Sequence, residues 1–227
     1  KPNSFTNFTA MKLLHRIVAL ARRARYPGSI AYWEKRYAAG GNSGSGSSGR
    51  LAAYKAAWLN RFVEGNNIQS VVEFGCGDGQ QLLLAQYPRY LGLDVAPSAI
   101  TRCRALFAGD SAKQFARYDP DRFDPLAVQA DLAISLEVIF HLTEERLYQL
   151  YMEHLFASAR RYVVIFASNT DDVAPGPFPH FRQRCFTADV PPGWVLSERV
   201  ENPHRDVSVS DFWVFVKPSV RRLEKTF

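Results

Sequence analysis

An acid and three glycines alternate in the segment EFGCGDG, residues 73–79, directly after the apolar run SVV. Glycine lets a backbone approach a bound molecule closely, because no Cβ stands in the way. A second acid, Asp94, ends the next apolar run, YLGLDV. Ligands of a doubly wound sheet lie beyond the carboxyl ends of its strands, where an acid can accept both hydroxyls of a ribose. The pattern therefore predicts a site for a ligand that contains a ribose.

The glycine spacing separates this turn from two other ligand-binding turns. The dinucleotide fingerprint G-x-G-x-x-G needs a third glycine where Gln80 stands, and a P-loop needs a Gly-Lys-Ser/Thr that is absent. The spacing acid-x-Gly-x-Gly-x-Gly instead resembles motif I of the class I S-adenosylmethionine-dependent methyltransferases. Taken singly, Asp78 could merely cap a helix and Glu73 could be a surface acid, but an acid at each of two strand ends favours the ligand site.

The resemblance extends over residues 32–217. ADLAISLEVIFHL, residues 130–142, resembles the fourth strand of that family and the segment after it. YWEKRY and the Gly/Ser run behind it are similar to a subgroup of small bacterial enzymes whose N-terminal aromatic segment folds over the cofactor. Within that subgroup, the chain resembles the mycobacterial O-methyltransferases that cap methylmannose polysaccharides, which implies a role in polysaccharide biosynthesis.

The resemblance implies S-adenosyl-L-methionine as the cofactor. Its methionine half would lie against motif I, with the carboxylate near the amino terminus of the next helix. Its ribose would lie on Asp94, and Tyr118 or Asp119 would border its adenine. The cofactor-binding positions implied in this way are Tyr32, Glu73, Gly75, Cys76, Gly77, Asp78, Gly79, Asp94, Val95, Ser135 and Leu136.

The candidate catalytic residues follow the fourth strand, which the resemblance places beside the transferring methyl. Glu137 and His141 are four residues apart, about one turn if the segment is helical. Histidine titrates near neutrality and suits a general base for a hydroxyl acceptor, and Glu137 could orient its ring. The alternative is a histidine at a helix start with both nitrogens satisfied. No Asn/Asp-Pro-Pro-aromatic motif is present, which disfavours methylation of a base or amide nitrogen.

A metal-dependent version uses the same residues. Some relatives hold a divalent ion through E-x-x-E-H in this segment, but Phe140 stands where the second acid would be. A divalent cation such as Mg²⁺ could still be held by Glu137 and His141, with His180 or His204 as a replacement ligand. Because Mg²⁺ prefers oxygen ligands, a set rich in histidine favours a borderline metal.

The predicted acceptor pocket is walled by the N-terminal cap, by residues 137–141 and by two late loops, residues 169–184 and 201–210. Aromatic rings beside hydrogen-bonding groups suit the face of a sugar as well as a ring-bearing metabolite. The favoured acceptor is a hydroxyl of a small molecule, and a sugar or oligosaccharide is the preferred class. RNA or another nucleic acid, or a small-molecule amine, is the alternative. The candidate substrate-binding residues are Tyr37, His180, Arg182 and His204, with Phe178 and Trp194 as further lining.

The elements that position these residues alternate between strand and helix patterns. They predict an α/β fold with a doubly wound, mostly parallel seven-stranded sheet, an antiparallel last strand and an N-terminal helical cap. Residues 1–50 would form the cap and a mobile Gly/Ser lid loop, and residues 51–227 the methyltransferase domain. Helices are predicted for GQQLLLAQY, ended by Pro88, and for EERLYQLYMEHLFASA, with Thr143 as its N-cap.

Composition limits the remaining possibilities. The 227 residues are 47% hydrophobic with a net charge of +6, which is typical of a globular chain, and no apolar run is long enough to span a bilayer. Three widely spaced cysteines suit a reducing cytoplasm. An amphipathic pattern near residues 12–25 predicts a helix that packs on its own domain or forms a homodimer. No appended RNA-binding module is recognisable, so no stable nucleic-acid partner is expected.

Overall fold

The computed structural model describes residues 25–171 and 178–218. The amphipathic helix predicted near residues 12–25, and the homodimer contact predicted for it, lie outside this part of the chain apart from Arg25. The strands are β1 (Val71–Phe74), β2 (Tyr90–Asp94), β3 (Lys113–Arg117), β4 (Ala130–Leu136), β5 (Ala159–Ala167), β6 (Val195–Val200) and β7 (Asp211–Val216). The α-helices are α1 (Ser29–Ala38), α2 (Gly49–Gly65), α3 (Pro97–Leu106) and α4 (Glu145–Ala157).

The seven strands form one sheet in the order β3-β2-β1-β4-β5-β7-β6. β7 runs antiparallel to both of its neighbours, β5 and β6, whereas the pairs among β1 to β5 are parallel. Apolar clusters cover both faces, with α2 and α3 on one side and α4 on the other. The predicted fold class is confirmed. Since strand order reverses between β1 and β4, the carboxyl ends of β1, β2 and β4 surround the point where such sheets bind ligands.

The prediction of a helix directly after motif I is wrong. The structure has only a four-residue 3₁₀ turn, Gln81–Leu84, after which Ala85 is extended. The side chain of Asn60, on α2, donates to the carbonyl of Leu84 at 3.0 Å and accepts from the amide of Gln86 at 2.9 Å. These bonds satisfy backbone groups that a longer helix would have satisfied internally, so the chain leaves the helical path here.

The predicted cap of α4 is also wrong. Thr143 makes no capping bond, and Glu144 is the residue that precedes the helix. The Thr143 hydroxyl instead donates to the Glu144 carboxylate at 3.1 Å, and the Thr143 amide donates to Ser29 at 3.2 Å. The contact with α1 therefore changes the hydrogen bonds of Thr143, so that Thr143 does not cap α4. Helix α2 ends at Gly65, with Asn66 as its C-cap.

Two carboxylates at helix starts join α1 to the rest of the molecule. Glu144 accepts hydrogen bonds from the Ser29 amide at 2.8 Å and from its hydroxyl at 2.6 Å, at the first residue of α1. In return, Glu34 of α1 accepts from the amide and hydroxyl of Ser98, in the first turn of α3, at 3.0 and 2.6 Å. Each carboxylate satisfies N–H groups that a helix leaves free at its start. They fix α1 across the carboxyl edge of the sheet.

No helix in the described part of the chain is long and apolar enough to cross a membrane. The division of the chain into a cap, residues 1–50, and a methyltransferase domain, residues 51–227, stays a prediction. The contacts of α1 with α3 and with the start of α4 describe how the first described residues pack.

Replacing Glu144 by Ala should release the start of α1. The lost cap costs about 1 kcal/mol, so α1 should open more often and trypsin should cleave faster after Lys35 and Arg36. Limited proteolysis followed by mass spectrometry measures this rate. Glu153→Ala, an exposed acid later on α4, is the matched control. Equal cleavage rates in the two variants would contradict the role given to Glu144.

Candidate active site

A cavity of about 520 Å³ opens at the carboxyl ends of β1, β2 and β4. Helix α1, residues 43–47, and the loops before β6 and between β6 and β7 close its sides. Many of the residues predicted to form the site line it. They are Tyr32, Tyr37, Glu73, Gly75, Cys76, Asp94, Val95, Leu136, Glu137, His141 and His180.

Asp94, the last residue of β2, links the chain after β1 to the chain after β2 by hydrogen bonds. Its buried carboxylate accepts a hydrogen bond from the Gly77 amide at 3.0 Å and another from the Ala96 amide at 2.8 Å. Burial raises the pKa of Asp94 to about 6, against the lowering effect of these amides. A carboxylate that is held by backbone at the cavity wall can accept the hydroxyls of a ribose, as its position after the second strand predicts.

Glu73 lies at the end of β1 and is buried on the side of the sheet that faces α2. It accepts a hydrogen bond from the Tyr90 hydroxyl at 2.6 Å. Burial raises the pKa of Glu73 to about 7, while this bond and the nearby ammonium of Lys55 oppose the rise. The acid of motif I is therefore part of the cavity wall and not a surface residue.

Lys55 is a site residue that the sequence reading missed. Its side chain is 1% exposed and lines the cavity from α2. A signal for it was present, because Lys55 stands between Leu51 and Leu59 at four-residue spacing and so shares the buried face of the helix. Burial lowers the pKa of Lys55, against the raising effect of Glu137 and Glu73. A buried lysine at a cavity wall is a candidate ligand-binding group.

The Gly/Ser segment is attached to motif I through Ser43. The Ser43 amide and hydroxyl donate to the Asp78 carboxylate at 3.1 and 2.8 Å, and the Asp78 amide donates back to Ser43 Oγ at 3.1 Å. Tyr37 shares a further hydrogen bond of 3.1 Å with the Ser43 hydroxyl. Gly77 has a φ of 59°, and a Cβ there would lie 2.9 Å from the Tyr37 hydroxyl. Gly77 and Asp78 thus lie against Tyr37 and the start of the Gly/Ser run.

Glu137 follows β4 with a left-handed backbone, at a φ of 60° that is uncommon for a residue with a side chain. Its carboxylate accepts from the Ser208 hydroxyl at 2.8 Å and lies 3.5 Å from the Lys55 ammonium. A Cβ on Gly46 would collide with the same carboxylate. Three distant segments therefore meet at Glu137, and strain of this kind is commonly found at functional sites.

His141 faces the opposite part of the cavity. Its Nδ1 lies 3.0 Å from the backbone carbonyl of His180. Since a carbonyl can only accept, Nδ1 carries the proton and the lone pair of the ring is on Nε2. Burial lowers the pKa of His141 to about 4, so the imidazole is neutral at physiological pH. The bond that orients this ring comes from His180 and not, as predicted, from Glu137.

Aromatic rings surround His141. Trp33 meets its ring edge-on, with 4.8 Å between ring centroids. Tyr32 stacks on His180 at 4.4 Å and an interplanar angle of 9°. Phe140 and Phe181, whose rings are 4.8 Å apart, complete the wall. The cavity therefore has an aromatic end around His141 and a charged end around Lys55 and Glu137.

Several other predicted residues do not line the cavity. The guanidinium of Arg182 pairs with Glu145 at 3.1 Å, and the ring of His204 packs edge-on against Tyr54. Trp194 packs against Phe156, on the α4 side of the sheet. Phe178 is exposed. Gly79 contacts α3, and Ser135 is fully buried.

A metal site would need ligands in one place. Within residues 25–171 and 178–218, no group of three or more His, Cys, Asp or Glu side chains has the arrangement of a metal site. Glu137 contacts Lys55 and Ser208, whereas His141 contacts His180 and aromatic rings. His204 packs on Tyr54 instead of completing a ligand set.

Residues 72–162 match the family model described as a methyltransferase domain. No curated protein matches the chain at a significant level. Among solved structures, the N-methyltransferase NodS from Bradyrhizobium japonicum WM9, in complex with S-adenosyl-L-homocysteine, is 17% identical with a TM-score of 0.63. That likeness covers 84% of this chain and 99% of NodS.

Two other solved methyltransferases have the same fold. Magnesium protoporphyrin IX methyltransferase (ChlM) from Synechocystis PCC 6803 with bound S-adenosylhomocysteine is 18% identical, with a TM-score of 0.54, over 73% of this chain and 83% of its own. The methyltransferase domain of bacterial CtHen1-C is 17% identical, with a TM-score of 0.58, over 74% and 99%.

The family match and the fold confirm the resemblance to the class I S-adenosylmethionine-dependent methyltransferases that motif I predicts. They support S-adenosylmethionine as the cofactor. At identities below 20%, the likeness concerns the fold alone. The O-acceptor and the mycobacterial sugar subgroup stay predictions.

The affinity for S-adenosylhomocysteine should increase as pH rises from 5 to 7.5. The unliganded Asp94 has a pKa of about 6, and ribose hydroxyls donate to its ionised form, so binding should release a proton. The affinity at pH 5 should be about tenfold lower than at pH 7.5. Calorimetry in buffers of different ionisation enthalpy measures both the affinity and the proton release.

Asp94→Asn should weaken binding at pH 7.5 and flatten its pH dependence. Glu198→Gln, an exposed acid on β6 outside the cavity lining, is the control and should leave the pH dependence unchanged. An unchanged pH dependence in Asp94→Asn would contradict the placement of the ribose.

Proposed function

We propose that this protein is an S-adenosylmethionine-dependent methyltransferase that transfers a methyl group to a hydroxyl of a small molecule. The observation that carries the choice of a hydroxyl is the state of His141, a neutral imidazole whose proton is fixed on Nδ1 by the His180 carbonyl at 3.0 Å. A hydroxyl needs a base during its attack, whereas a neutral amine needs only its lone pair.

The residues at the carboxyl edge fit this cofactor. Asp94 presents a carboxylate for the ribose, and Tyr118 lines the cavity where the adenine is expected. Gly75 keeps the chain close to Val138 of the β4 end, since a Cβ there would lie 2.5 Å from the Val138 methyl carbon. When bound, S-adenosylmethionine supplies an electrophilic methyl group on a cationic sulfur, so the protein has to position the acceptor and remove its proton.

His141 is suited to take that proton. Its Nε2 carries the lone pair, and the ring is held by the His180 carbonyl and by the edge contact with Trp33. The same carbonyl accepts from Nδ1–H both before and after the proton arrives, so the ring keeps its orientation during the reaction. Because the pKa of His141 is about 4, the neutral form persists down to about pH 5.

The acceptor is best matched by a sugar or oligosaccharide. Tyr32 and Trp33 offer aromatic surface for the apolar face of a sugar ring, and Tyr37, His180 and Arg36 offer polar groups beside it. A role in polysaccharide biosynthesis, like that of the mycobacterial enzymes, is part of this proposal, as is a cytoplasmic location. A panel of glycosides, phenols, amines and RNA with isotope-labelled cofactor would identify the acceptor class.

His141→Ala should lose about two to four orders of magnitude in turnover on a hydroxyl acceptor, because no base would then take the proton. The affinity for S-adenosylhomocysteine should stay within about twofold of the wild type, since His141 is not expected on the cofactor. Steady-state kinetics and calorimetry measure the two quantities. His204→Ala, whose ring packs on Tyr54 outside the cavity, is the control. Full turnover in His141→Ala would refute the assignment.

Removal of metal ions should leave turnover unchanged if His141 is the base. Activity after treatment with EDTA, and after adding Mg²⁺, Mn²⁺ or Zn²⁺ back, tests this directly. Loss of activity that a divalent ion restores would instead assign Glu137 and His141 to a metal site.

A further inference from the structure

The amino-acid end of the proposed cofactor carries a carboxylate that the cavity has to bind. A helix that starts after motif I can hold a carboxylate at its N-terminal amides. Here the chain forms only the four-residue 3₁₀ turn Gln81–Leu84, and Ala85 after it is extended. Another group must therefore offset the negative charge of the methionyl carboxylate.

Lys55 is placed to do so. Lys55 lines the cavity with a side chain that is 1% exposed, and Glu73 at the end of β1 is one of its charged neighbours. Its contact with Glu137, at 3.5 Å, is at the long limit of a hydrogen bond, and it lies 5.4 Å from the centre of the Phe166 ring. An ammonium has three donors, so the Glu137 contact leaves donors of Lys55 for a second anion. A buried cation is costly unless it is closely paired.

Gln81 provides a second, independent observation. Its Nε2 donates to the carbonyl of Ala52 at 3.1 Å, whereas its Oε1 is buried and has no hydrogen-bond partner among the described residues. Such an orphaned acceptor costs about 1–3 kcal/mol unless a ligand satisfies it. Ala52 precedes Lys55 by three residues on α2, so the two residues lie on the same face of that helix. Gln81 therefore contacts α2 on the face that carries Lys55. Both side chains line the cavity.

We propose that Lys55 and Gln81 bind the zwitterionic amino-acid end of the cofactor, with the Lys55 ammonium on the α-carboxylate and Gln81 Oε1 on the α-ammonium. This inference rests on the proposed function. Glu137 and Glu73 are the acidic neighbours of Lys55, and the α-ammonium of the ligand adds a positive charge beside them. Without the ligand, the partner of Lys55 is then Glu137 at 3.5 Å. The ligand carboxylate joins or replaces Glu137 when it binds.

Two ligands separate this role from a general effect on the cavity. S-adenosylhomocysteine carries the amino-acid group, and 5′-methylthioadenosine has the same nucleoside and thioether without it. Lys55→Met should weaken S-adenosylhomocysteine binding about 10- to 100-fold and leave 5′-methylthioadenosine binding unchanged. Gln81→Met should weaken S-adenosylhomocysteine alone by about 2- to 10-fold. Calorimetry measures all four affinities.

Controls distinguish the failure of this inference from failure of the proposed function. Lys113→Met, on β3 and outside the cavity lining, should change neither affinity, and Asp94→Asn should weaken both ligands. Equal effects of Lys55→Met on the two ligands, or no effect, would overturn the role of Lys55 while leaving the cofactor assignment intact. A wild-type protein that binds neither ligand would overturn the proposed function.

The wild-type protein provides a test that does not depend on a folded Lys55 variant. It should bind S-adenosylhomocysteine at least tenfold more tightly than the analogue that lacks only the α-carboxylate, because that analogue leaves Lys55 without its second anion. Equal affinities for these two ligands would refute the inference whatever the variants do.

Discussion

Three ionisable side chains, Glu73, Asp94 and Lys55, are buried at the carboxyl edge of the sheet, beside the partly buried Glu137. The surrounding chain provides hydrogen bonds and opposite charges for these groups. Each desolvated charge costs several kcal/mol unless donors, acceptors or an opposite charge replace water. Asp94 receives two backbone amides, one of them from Gly77, and Glu73 receives a tyrosine hydroxyl. The glycine turn therefore has two roles: it leaves space for a ligand, and it places the Gly77 amide so that it donates to Asp94.

The same constraint explains the low-complexity segment. A side chain at Gly46 would collide with the carboxylate of Glu137, and Ser43 provides both the donor and the acceptor that Asp78 requires. The small residues of the Gly/Ser run thus satisfy a packing requirement as well as permitting motion. A mobile lid stays a prediction, and the structure identifies the contacts between Ser43 and Asp78 as those that opening would break.

The sequence predicted what depends on local pattern. Strand alternation predicted the sheet, and the spacing of Glu73, Gly77 and Asp94 predicted which residues the structure places together at its carboxyl edge. It did not predict the short turn after motif I, because the side chain of Asn60 that ends it comes from another helix. Lys55 was missed for a similar reason: its buried face is visible in the helical spacing, but its acidic neighbours are brought there only by the folded sheet.

The left-handed backbone of Glu137 separates two residues that the sequence places four apart. Glu137 points toward α2 and the loop after β6, whereas His141 lies under α1 among aromatic rings. A carboxylate close to an imidazole raises its pKa and favours the protonated ring, which cannot accept a proton. Keeping His141 away from Glu137 and in contact with a neutral carbonyl preserves the lone pair on Nε2. The strain at Glu137 thus gives the cavity its charged end while the His141 imidazole stays neutral.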